Sequence, residues 1–140
     1  MKDFNLSPNF TFYELTNSAN YPQYVLQNRQ EAERFILPLT ELAITILQPI
    51  RDHFGRTDVN SGFRCLILNQ AVGSKNNSQH PKAEAADIVV PGIRPVNAWE
   101  WIKTSGIPFG QLILERTWVH ISLGVPYRPA KKCGQVLIIL

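Results

Sequence analysis

The chain has 140 residues, of which 44% are hydrophobic and 18% charged, with a formal charge of +3. That length holds one domain whose core needs no disulfide framework or structural metal, and the balance excludes a disordered or collagen-like chain. The mild positive charge, with no run of five basic residues, suits an anionic polymer and gives no nucleic-acid signature.

The first residues, Met1 to Pro8, lack the basic start and apolar run of a secretory signal, and no stretch reaches the length of a membrane span. A cytoplasmic product without membrane insertion is the expectation. Residues 1–27 read as an N-terminal arm packed on a single domain of residues 1–140, and Thr11-Phe12-Tyr13-Glu14 has capping-box spacing for a short helical turn. From Asn28 to Phe54, Phe35, Leu39, Leu42, Ile46, Ile50 and Phe54 recur at three- and four-residue steps, which predicts an amphipathic helix ended by Gly55. Pro38 and Pro49 lie inside it, so a kink or a break is expected at one or both.

Thr57 to Phe63 then reads as a strand, Leu66 to Val72 as a short helix, and Gly73 to Gln79 as a polar loop. Ala85 to Val90 is a buried strand stopped by Pro91-Gly92, and Pro95 to Thr104 a helix with proline in its first turn. Strands follow at Gln111–Leu114 and Trp118–Leu123, around a tight connection at Glu115 to Thr117, and Val136 to Leu140 supplies the last. This order predicts an α+β domain with a mostly antiparallel sheet and flanking helices. Cys65 and Cys133 have no CxxC spacing and read as two free thiols rather than a disulfide, with Cys65 packed as a small apolar residue beneath the site.

The chemistry concentrates in three segments. His80 and Asp87 are separated by six residues, and His120 sits in a later strand. Two nitrogens and one carboxylate oxygen match a catalytic zinc site, which keeps a fourth position open for water; a structural site is richer in cysteine. Amide hydrolysis also needs a base for that water's proton, and Glu115 is the nearest acidic residue before His120. Arg64 offers a planar cation for a substrate carboxylate or a developing oxyanion. Ser78 and Trp118 are candidate substrate-binding residues, Trp118 chiefly as a packing wall. His53, beside Phe54 at a helix end, reads as an ordinary core or surface residue, Lys75 and Lys82 as solvated, and Glu84 as exposed.

Ser61-Gly62-Phe63-Arg64, the asparagine-bearing segment Leu66 to Val72, the Ser78-x-His80 to Asp87 block and Trp118-Val119-His120 together resemble the zinc D-Ala-D-Ala carboxypeptidase family of metallopeptidases, in particular its small stand-alone phage and bacterial members. Weaker matches at Phe10 to Leu15 and Leu47 to Arg51 extend the resemblance over most of the chain. It implies a Hedgehog/DD-peptidase-like fold, one Zn2+ ion on His80, Asp87 and His120, Arg64 as a substrate-binding or transition-state group, and an acidic base upstream of His120. Two positions depart from the family pattern. Ala83 stands where glycine is usual, which is tolerated unless a positive φ is required. Thr117 stands where many members carry the acidic residue, three before the histidine, while Glu115 lies five before it. The function implied is hydrolysis of a peptide bond in bacterial peptidoglycan, by a monomeric D,D-carboxypeptidase or endopeptidase that reaches the wall on release, as in phage lysis. The alternative is a non-catalytic zinc-binding virion or wall-binding module that has lost its base.

Overall fold

The computed structural model describes residues 2–74 and 78–140; the middle of the expected Gly73–Gln79 loop, with Lys75, lies outside them. A two-stranded antiparallel ribbon, β1 (Asn5–Ser7) and β2 (Phe10–Thr11), leads into α1 (Phe12–Thr16). The capping box forms as the sequence predicts: Thr11 Oγ1 accepts from the Glu14 amide and Glu14 Oε1 from the Thr11 amide, both at 3.2 Å. Buried Gln48 ties this arm down, accepting from Ser7 Oγ and the Asn9 amide while donating to Asn9 and Asp52.

The long amphipathic segment is realised as three helices, α2 (Val25–Ala32), α3 (Ile36–Leu42) and α4 (Gln48–Phe54). The interruptions fall just before the two prolines. A 3-10 turn at Glu33–Phe35 precedes Pro38, and a π segment at Ala43–Leu47 precedes Pro49. A proline ring clashes with the carbonyl four residues back, so the backbone departs from α geometry around Arg34 and Thr45, where those carbonyls lie. Gly55, at φ +86°, ends α4.

The main sheet contains β3 (Asp58–Ser61), β4 (Ala85–Val89), β5 (Phe109–Leu114), β6 (Val119–Leu123) and β7 (Gln135–Ile138), in the order β3-β4-β6-β5-β7. All its pairings are antiparallel except β5 with β7. The remaining helices are α5 (Leu66–Ala71) and α6 (Pro95–Lys103). The fold is therefore α+β with a mostly antiparallel sheet, as expected. Strand alternation divides its work: Ile88, Leu112, Leu114, Val119 and Ile121 enter the core with Leu39, Ile46 and Ile102, while Asp87, His120, Ile113, Gln111 and Glu115 lie on the other side and line a cleft. No helix among the described residues is long and apolar enough to cross a membrane.

Buried Asn28 joins α2 to the Ser61–Arg64 segment. Its amide donates to the Thr16 and Phe63 carbonyls at 2.9 Å, and its Oδ1 accepts from the Cys65 amide at 2.7 Å. Three backbone groups are satisfied by one side chain, which fixes the chain path on both sides of Arg64. Cys65 is buried and, like Cys133, a free thiol.

Candidate active site

The three sequence-predicted ligands meet. Asp87 and His120 are direct partners across β4 and β6, and His80 reaches them from a 3-10 turn, His80–Lys82. His80 Nε2 lies 3.4 Å and His120 Nδ1 2.9 Å from the same oxygen, Asp87 Oδ1. Donors on a tetrahedral ion with bonds of about 2.0 Å are about 3.3 Å apart, so this spacing suits zinc. The donor chemistry suits it too. His80 Nδ1 donates to the Gly62 carbonyl at 2.7 Å, which leaves Nε2 as the unprotonated atom facing the triad. Burial keeps the His80 imidazole neutral, lowering its pKa against the pull of Asp87. For Asp87 burial acts in the opposite sense, yet the two imidazoles hold its pKa well below the ordinary carboxylate range. A neutral His80 nitrogen and a firm Asp87 anion are donors that suit a dication.

Arg64 is aimed by Asn69 Oδ1, 3.1 Å from its Nε, and by Ser61 Oγ, 3.2 Å from Nη1. Both acceptors are neutral, and no carboxylate among the described residues pairs with it, so its charge faces the cleft it lines. Burial lowers its pKa, opposed by Asp87 and Glu115. Glu115 lines the same cleft at the end of β5, on a turn closed by its own amide donating to the Trp118 carbonyl at 3.0 Å. Burial first, and Asp87 second, raise its pKa; Trp118, His120 and Arg64 oppose them. The Trp118 indole N–H is buried and lies close enough to Glu115 to favour its charged form, yet it stays outside hydrogen-bonding geometry and has no other partner among the described residues. Thr117, in contrast, is exposed and does not line the cleft.

A family model described as Peptidase M15 matches residues 8–122. The chain belongs to the M15 peptidase family. No curated protein matches it. Membership agrees with the resemblance drawn from the motifs; M15 peptidases use zinc, and among the described residues His80, Asp87 and His120 form a group able to hold a metal ion.

In this M15 chain Ser78 lines the cleft, and its Oγ accepts from the His80 amide at 3.2 Å, shaping the turn that presents the imidazole. Ala83 is the one described non-glycine residue at positive φ, +62°, in the left-handed region. The glycine usual here is thus explained. Strain of about 1–2 kcal/mol is offset by burying a methyl, about 0.8 kcal/mol, and by the smaller unfolded-state entropy of alanine, about 0.4–1 kcal/mol. Ala83→Gly is accordingly expected to shift stability by less than about 1 kcal/mol in urea unfolding; a larger shift would mean that the turn relaxes differently.

His53 is exposed and stacks on Trp101 at 4.0 Å between centroids, an ordinary surface role. Lys82 is exposed, as expected. Glu84 is not: it is only 9% exposed, because the turn after Ala83 folds it beneath the cleft, where Gln79 Nε2 donates to it at 3.1 Å. Burial raises its pKa above the ordinary 4.5. The folded state therefore holds this proton more firmly than the unfolded one, so the group costs stability as pH rises from the ordinary carboxylate range through the raised pKa. Glu84→Gln is expected to melt above wild type at pH 7, with the difference closing below about pH 4. A difference unchanged by pH would show that the buried charge is not its cause.

Cleft residues that sequence reading did not single out are Gln79, Gln111, Tyr127, Arg128 and Lys132. Gln79 stands inside the Ser78-x-His80 motif and could have been found there. Arg128 sits in a loop with no motif, and only the folded chain brings it to the site.

Proposed function

We propose that this chain is a zinc-dependent peptidase that hydrolyses a peptide bond in bacterial peptidoglycan stem peptides, as a D,D-carboxypeptidase or an endopeptidase of phage lysis. The observation that carries the reading is the convergence of His80, Asp87 and His120 with Glu115 and Arg64 on one cleft of about 1010 Å³ in an M15 chain. That volume accommodates a peptide of several residues.

Zinc, held by His80, Asp87 and His120, would supply Lewis acidity and acidify a water. Glu115 takes the proton of the attacking water on a carboxylate oxygen and returns it to the leaving amine; a carboxyl whose pKa is raised by burial returns a proton more readily than an exposed one. Arg64, pre-aimed by neutral partners, binds a carboxylate of the stem peptide or the developing oxyanion without first breaking an ion pair. His80 stays oriented through the Gly62 carbonyl.

Incubating the zinc-loaded protein with peptidoglycan and weighing the released fragments by mass spectrometry tests this and identifies the bond. His80→Ala and His120→Ala should lose both metal and release. Thr117, at the position many members give to the acidic residue, favours the second reading, a zinc-holding virion or wall-binding module without catalysis. Binding to sacculi with no fragment released from any peptidoglycan type would establish that reading in place of the first.

A further inference from the structure

Among the described residues the cleft presents four cations, Arg64, Lys82, Arg128 and Lys132, against three carboxylates, and the chemistry above uses only Arg64. Arg128 is held as firmly as Arg64. Its Nε donates to the Lys132 carbonyl at 2.8 Å, Nη1 to Gln79 Oε1 at 3.2 Å and Nη2 to Gln135 Oε1 at 3.1 Å. These acceptors are all neutral, no carboxylate among the described residues pairs with it, and Nη1 and Nη2 each carry one N–H beyond those bonds. The partners are themselves fixed. Gln79 gives its amide hydrogens to Glu84 and the Leu123 carbonyl, and Gln135 Oε1 also accepts from Gln111 at 2.8 Å. The arginine stem lies against Gly110, where a Cβ would come within 3.0 Å of Arg128 Cδ.

Strand register gives this cluster its place. Ile113 pairs with His120, and His120 with Asp87. Gln111, opposite Gln135, precedes Ile113 by two residues, and Glu115 follows it by two. At strand spacing Gln135, one of the arginine's anchors, lies about 7 Å along the strands from the row of Ile113, His120 and Asp87, on the side away from Glu115, and, because β5 stands between β7 and β6, about 10 Å across them from His120. Together these offsets make about 12 Å, the reach of about three to four residues of an extended peptide.

We propose that Arg128 is a second recognition site in the cleft, a specificity-determining residue that binds a substrate carboxylate within four residues of the scissile bond. The substrate class rests on the peptidase reading. A pre-oriented, unpaired guanidinium in a cleft gains a charge-assisted, two-pronged contact from a carboxylate and loses most of it with a carboxamide.

The test uses pairs of stem-type peptides that differ only in one carboxylate, free or amidated, placed at each position within four residues of the scissile bond. Calorimetric binding to the zinc-loaded protein and kcat/KM are both read. For one position the free acid should bind about tenfold or more tighter than its amide. Arg128→Gln should remove that preference while leaving the amide's binding near wild type, and Arg128→Lys, which keeps the charge and loses the fork, should retain part of it. If Arg128→Gln fails to fold, Arg128→Lys carries the comparison. Equal binding of acid and amide at every position, equal weakening of both by either variant, or no binding of any pair would overturn the proposal. Failure to cleave any peptide would overturn the peptidase reading instead, and the binding comparison would still decide Arg128.

Discussion

Glu115→Gln is expected to lower kcat by a factor of about 10²–10⁴ while the protein still binds one zinc ion per chain. The substitution keeps the size of the half-buried side chain. It also leaves the turn intact, because that turn is closed by the backbone of Glu115 and Trp118. His80, Asp87 and His120 draw no hydrogen bond from Glu115 among those found, so their geometry should persist. What disappears is the carboxylate that receives a proton. The competing assignment is tested in the same background. Thr117→Glu restores an acid at the position more usual in the family, but Thr117 is exposed and off the cleft, so the double variant should stay inactive. Wild-type turnover in Glu115→Gln, measured on fragments released from peptidoglycan, would remove Glu115 as the base; rescue by Thr117→Glu would move that role to residue 117.

The parts of this site legible in the sequence are those whose signal is local. His80 and Asp87 stand in one motif and His120 in a strand of alternating apolar and polar residues, so motif and period mark all three, and the pairing of β4 with β6 sets Asp87 beside His120. The helix breaks were legible as well, because proline announces its own geometry. Glu84 shows the limit. Between two motif ligands it reads as a solvated charge, and only the left-handed turn at Ala83 folds it under the cleft. Asn28 shows the same limit in the scaffold, since a polar residue within a helix carries no mark of the three backbone partners that tertiary packing gives it. Arg128 is the furthest case. Its partners Gln79 and Gln135 lie on opposite sides of it in sequence, and β7 reaches β5 as the sheet's one parallel pairing, a neighbour relation that hydrophobic period cannot report.

Gly62→Ala is expected to damage folding and metal binding together. A Cβ there would sit 2.3 Å from the Leu15 carbonyl oxygen and 3.0 Å from Leu15 Cα. These are backbone atoms, so no side chain can swing aside. Either α1 retreats, breaking the 2.8 Å bond from the Phe63 amide to Leu15 and loosening Phe12 and Leu15 in the core, or the Ser61–Arg64 segment moves away. Overpacking of this kind costs about 1–3 kcal/mol, sometimes more, and should appear in urea unfolding of the metal-free protein. The second route carries the Gly62 carbonyl with it, and that carbonyl fixes the His80 ring. Losing such an orienting partner typically lowers metal affinity about 10–100-fold, readable by competition with a zinc chelator. Leu15→Ala separates the two effects: it opens the core at a cost of about 2–5 kcal/mol and leaves the Gly62 carbonyl in place. Weakened zinc binding in Gly62→Ala alone ties the glycine of the Ser61–Arg64 motif to the metal site, whereas equal weakening in both variants would reduce its role to packing.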